Sequence, residues 1–183
     1  MKDNPLYKRS QVLEYLLYGF LAAVAYFILM LVHLRKADYE SSYLLYIGNA
    51  VFGAVILIYN LKLINRPYVE QRAVSMTIAA HLATLAGTII SVLMVVITAL
   101  VLYPHIFSDH ARAVLENAPP NTEGKRPAGW VFMVVIDAFL LNFAVGSFVS
   151  IITSYAGKKN QTRDKPTALG TKVSDGPVTN DPS

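Results

Sequence analysis

Four apolar runs, each at least 22 residues long, fill most of the first 156 positions: Val12–Leu34, Tyr43–Ile64, Val74–Tyr103 and Gly129–Ala156. A helix rises about 1.5 Å per residue and the hydrocarbon core is about 30 Å thick, so each run can cross a bilayer as a helix. The fourth, GWVFMVVIDAFLLNFAVGSFVSIITSYA, carries the feature around which the others are arranged. An acid, Asp137, lies about two turns in from Trp130, beside small or polar residues at every fourth position: Ala138, Asn142, Gly146, Ser150 and Ser154.

The fold class that follows is an all-α integral membrane protein. We expect an antiparallel four-helix transmembrane bundle, a short amphipathic helix in the outer 3–4 loop, and a disordered C-terminal tail. Residues 1–156 make the membrane domain, with spans at about 12–34, 43–64, 74–103 and 129–156, and 157–183 make the tail. A chain 54% hydrophobic and 15% charged is too apolar for an ordinary water-soluble domain. Cysteine is absent, which excludes disulfides, thiolate metal sites and cysteine nucleophiles.

The first run resembles a signal peptide in having basic residues upstream and Ala23-Val24-Ala25 as a cleavage-like site. Its apolar stretch continues through Tyr26–Leu34 before Arg35-Lys36 stop it, so an uncleaved span is the better reading. Ser41 or Ser42 is placed to cap the second span. The third run would be about 45 Å long as a helix, so it should tilt or project inward, with Pro67 and Tyr68 starting its first turn. The tail is rich in Pro, Gly, Ser and Thr and has almost nothing to bury. Four spans put both termini on one side. Eleven Lys and Arg residues fall on that side and five on the other, which places the termini in the cytoplasm of a cell inner membrane. Tyr15, Tyr43, Tyr46, Tyr59, Tyr103, Tyr155 and Trp130 fall near the predicted interfaces.

In lipid, helices associate through small residues and interhelical hydrogen bonds. The third span has the row Ala79, Ala83, Gly87, Ser91, which matches the spacing of Ala138, Asn142, Gly146, Ser150, and the two rows are expected to pack together. Counting the rise puts Asp137 about 10 Å below the outer interface, with Asn49 and Tyr26 at similar depth. His81 falls near the inner side, close to Tyr18, Tyr59 and Asn60.

An intramembrane acid is by default a functional candidate. Asp137 as a proton or cation site would use Asn49 and Asn142 as further oxygen ligands. As structural glue it would hydrogen-bond Tyr26 or Asn49, and with no second acid or base expected in the membrane this reading is preferred. His81 lacks a second histidine at matching depth for a haem, so a hydrogen bond to Tyr18 or Asn60 is expected instead. Outside the membrane, His105, Asp109 and His110, with His33, Asp38 and Glu40, read as a solvated loop and no metal site; the His105/Asp109 pair lacks the HExxH arrangement. Ser91, Ser147 and Ser150 have no histidine placed to activate them.

In the outer loop, Ser108 can cap a helix over 107–117 with Phe107, Ala111, Val114 and Leu115 as its apolar stripe, closed by Asn117. Such a helix would lie over the outer ends of the spans. The sequence therefore leads to a non-catalytic polytopic protein, an accessory or scaffold subunit acting through helix–helix contacts, with no cofactor. A small proton- or cation-coupled transporter using Asp137 is the alternative. The expected surroundings are the lipid bilayer and a membrane-protein partner or further copies of the chain. No aromatic-basic platform for nucleic acid exists.

Overall fold

The computed structural model describes residues 9–65, 73–104, 116–119 and 127–163. Helix α1 (Arg9–Lys36) is followed by a 3₁₀ turn (Tyr39–Ser42), α2 (Tyr43–Ile64) and α3 (Ala73–Leu102). The last span is α4 (Pro127–Ile136) and α5 (Asn142–Arg163), joined without a break by a π turn over Asp137–Leu141. Four helical segments are long and apolar enough to cross a membrane, which makes this a polytopic α-helical membrane protein. Their outward faces carry large apolar side chains, among them Leu17, Ile28, Ile97, Phe132 and Phe148. In a bilayer such a surface meets lipid, and the helical backbone satisfies its own polar groups.

The helices form a bundle in which α1 lies against α2 and α3, and α5 lies against the same two; α2 and α3 are in lighter contact. The tightest approach is between α1 and α3. A Cβ at Gly19 would stand 2.6 Å from the Ala83 carbonyl oxygen and 2.9 Å from the Gly87 nitrogen. The row Ala83–Gly87 therefore meets α1, not the small-residue row of the fourth span. Gly146 instead faces Thr84, whose Cγ2 would be 2.5 Å from an added Cβ. The order of helices in the bundle gives these small residues other partners than the matching row. Ala79, Ala83 and Ser91 are all buried.

On the fourth span Ala138, Asn142, Gly146, Ser150 and Ser154 are all buried, so the whole four-residue row faces inward. A strict four-residue row on an α-helix turns by about 40° per step away from any fixed neighbour. The π turn holds one extra residue in its turn and takes part of that drift back. Nothing in its sequence, DAFLL, announces it.

At its C-terminal end α1 stops at Lys36 with Ala37 in the left-handed region (φ 49°), and basic His33, Arg35 and Lys36 fill its last turn, where the helix dipole favours them. Asp38 caps the 3₁₀ turn by accepting from the Glu40 amide at 3.1 Å. Ser42 precedes α2 but makes no side-chain cap; its hydroxyl donates to the Tyr39 carbonyl at 2.6 Å. Residue 116 pairs with this turn: Tyr39 N–H donates to Glu116 O (2.9 Å) and Glu116 N–H to Ala37 O (2.7 Å). The amphipathic helix expected over 107–117 lies outside the described residues as far as 115. Glu116 is bridged to Asp38 and Asn117 has φ 56°, so these two are not helical. Pro67 and Tyr68 also lie outside the described residues. At the other end α5 continues to Arg163, seven residues into the segment read from composition as tail; residues 164–183 are outside the described set.

The expectation of no second acid in the membrane overlooks Glu14, which lies inside the first apolar run. Its Oε1 pairs with Lys62 Nζ at 2.8 Å, linking α1 to α2, and the same ammonium sits 5.3 Å from the centre of the Tyr18 ring.

Candidate functional site

Asp137 opens the π turn, and three spans converge on it. Tyr26 of α1 donates its hydroxyl to Asp137 Oδ2 at 2.9 Å. Asn49 of α2 donates its amide to Oδ1 and Oδ2 at 3.1 and 3.2 Å. Tyr26 is fully buried and Asn49 nearly so, and Gly48 leaves space for the Tyr26 ring, whose Cδ2 would be 3.0 Å from an added Cβ. Both neighbours present donors, so the carboxyl acts here as acceptor only. It is a knot of side chains from the first, second and fourth spans.

Asn142, the other proposed oxygen ligand, does not join this knot. It is fully buried, and neither its amide oxygen nor its nitrogen has a hydrogen-bond partner. Thr88 Oγ1 and Ser91 Oγ of α3 share that condition, as does Asn49 Oδ1. Unpaired polar atoms in so apolar a setting are costly.

His81 reaches neither Tyr18 nor Asn60. Its Nδ1 lies 2.9 Å from the Thr77 carbonyl four residues earlier on its own helix. Tyr18 stacks on Tyr59 instead, with ring centres 4.8 Å apart.

The sequence reading placed His33 and Trp130 at the water interface. Both are 1% exposed. Trp130 Nε1–H donates to His33 Nε2 at 3.3 Å, and His33 Nδ1 lies 2.8 Å from Ser41 Oγ, which itself donates to the Asp38 carbonyl at 2.7 Å. The direction of the Ser41 bond requires His33 Nδ1 to carry the proton and Nε2 to accept, so a neutral imidazole completes the chain. Tyr103 packs edge-on to Trp130 and donates to the Leu34 carbonyl at 2.7 Å, tying α3 to the end of α1. The signal available in sequence was weak: an N-terminal Trp on one span and a C-terminal His on another, both on the outer side.

Trp130→Phe keeps the ring and removes the donor to His33. We expect a loss of about 1 kcal/mol, typical of one neutral hydrogen bond, in unfolding monitored by circular dichroism. An unchanged midpoint would show that the 3.3 Å contact contributes nothing.

Between these two clusters, α2 and the fourth span flank a cleft of about 430 Å³. His33 and Trp130 line one end, Asp137 and Leu140 the other, and the exposed side chains of Tyr46 and Phe132 also line it. Among the described residues no group of three His, Cys, Asp or Glu is placed to hold a metal ion. Set against protein-family models, curated proteins and solved structures, the chain finds no match in any of the three.

Proposed function

We propose that this chain is a non-catalytic accessory or scaffold protein of a cell inner membrane, with consecutive spans antiparallel and both termini cytoplasmic. The carrying observation is that every hydrogen bond Asp137 makes crosses to another span, from Tyr26 and from Asn49. A carboxyl so engaged fixes helix positions, and a bundle with fixed faces is what helix-to-helix recognition needs. Alternation of direction is supported by the Glu14–Lys62 pair, which joins the start of α1 to the end of α2. Under this reading the purified protein in mild detergent assembles at fixed stoichiometry, with itself or with one membrane partner; a solitary monomer at all concentrations would contradict it. For topology, a reporter fused at Ser183 should be active only in its cytoplasmic form and one inserted near Asn121 only in its exported form; the reverse pair would overturn the orientation.

Two observations favour a second reading, a small proton- or cation-coupled transporter. Asp137 sits on a π turn, a local irregularity common at functional sites. It also lines the cleft, and polar atoms of Asn142, Thr88 and Ser91 are buried without partners. In proteoliposomes a pH-driven flux that disappears in Asp137→Asn, with the fold intact, would replace the accessory reading by this one.

A further inference from the structure

The cleft between α2 and the fourth span opens sideways. Tyr46 and Phe132 at its mouth are each 64% exposed and Leu140 is 53% exposed, on faces that meet lipid. Asp137 lies eight residues past Gly129, where the apolar stretch of this span begins, so about 12 Å along the helix axis. An occupant therefore enters from the bilayer and must be lipid-soluble. The volume, about 430 Å³, is that of a site for a small organic molecule.

The lining decides its charge. Among the described residues Asp137 is the acid that lines the cleft, and neither Lys nor Arg does so. His33 offers nothing further, because one ring nitrogen accepts from Trp130 and the other donates to Ser41. Ser42 has its proton committed to Tyr39 O and retains only acceptor capacity. Apart from the Tyr39 and Tyr46 hydroxyls, which can donate, the lining polar groups accept, and the acid among them disfavours an anion. A bare metal ion is disfavoured too. It needs several oxygen ligands, and here donors from Tyr26 and Asn49 already crowd the carboxyl. A carboxylate has about four lone-pair positions and three contacts reach it, so it can still face a diffuse positive charge. The rings of Trp130, Tyr39, Tyr46 and Phe132 line the same cleft, and aromatic rings attract cations.

We propose that this cleft binds a lipophilic organic cation, its charge beside Asp137 and its apolar body along Trp130, Phe132 and Leu140. The site requires binding alone and stands apart from the accessory role and from transport.

Trp130 is the single tryptophan of the chain and lines the cleft, so its fluorescence reports on occupancy. The full chain in nanodiscs of zwitterionic lipid is titrated with tetraphenylphosphonium and, separately, with the anion of the same shape, tetraphenylborate. Tetraphenylphosphonium should give a saturable change, with affinity lowered at least about tenfold in Asp137→Asn and severalfold in Tyr46→Ala, and tetraphenylborate should give none. Tyr46→Ala alters an exposed side chain and keeps the test intact if the Asp137 variant does not fold. A response that never saturates, an equal response to the borate, or wild-type affinity in both variants would mean partition into lipid and overturn the site.

Discussion

Asp137→Leu is expected to destabilise the bundle by about 2–6 kcal/mol, from two orphaned buried donors at roughly 1–3 kcal/mol each. The substitution removes the acceptor for Tyr26 Oη and Asn49 Nδ2, and both residues are buried. Interhelical hydrogen bonds in membranes average only about 0.6 kcal/mol, because groups that lose a partner commonly find another. Tyr26, fully buried against Gly48, has no such freedom. Asp137→Asn retains an acceptor oxygen and should cost about 1 kcal/mol or less. Unfolding in mixed micelles titrated with a denaturing detergent separates the two. Equal, small losses in both variants would show that the carboxyl is not holding the three spans.

The other large effect is expected at Gly19. Here the obstacle is backbone: the Ala83 carbonyl oxygen would be 2.6 Å, and the Gly87 nitrogen 2.9 Å, from a new methyl. Neither atom can rotate away, so α1 and α3 must separate along their contact. Overpacking of this kind costs about 1–3 kcal/mol, and the gain in helix propensity on leaving glycine returns at most about 1 kcal/mol. Gly19→Ala should lose about 1–2 kcal/mol, and Gly19→Val, with two further methyls, about 3 kcal/mol or its fold altogether. Gly53 supplies the control. Its added Cβ would meet Val145 Cγ1 at 2.5 Å, the end of a side chain that can change rotamer. Gly53→Ala should therefore stay within about 1 kcal/mol of the native protein. If Gly53→Ala proved as damaging as Gly19→Val, the backbone contact of α1 with α3 would not be what limits substitution.

The four spans were legible because apolar length is a one-dimensional signal. Their ends were less so. Helix α1 begins at Arg9 and α5 runs on to Arg163, since a helix needs no apolar content to continue into polar sequence. Depth was legible too: counting the rise put Tyr26, Asn49 and Asp137 in one layer, and the same count from the inner side would have set Glu14 level with Lys62. Partnership was not. A small-residue row such as Ala79, Ala83, Gly87, Ser91 identifies a face, but only the order of helices around the bundle says that it meets Gly19. His33 sits beside Arg35 and Lys36, which reads as a solvated helix end; the reversal at Ala37 folds Ser41 back over it and buries it. The π turn had no sequence mark, because Asp137–Leu141 contains neither proline nor glycine.

The account rests on a direct energetic link between the first and fourth spans through Tyr26 and Asp137, and a double-mutant cycle measures that link. Unfolding free energies are determined for Tyr26→Phe, Asp137→Leu and the two combined. A coupling of about 1 kcal/mol is predicted, within the range of roughly 0.6–1.7 kcal/mol that such cycles give in membrane bundles. Strictly additive losses would contradict the account, because they would mean that the 2.9 Å contact carries no energy of its own.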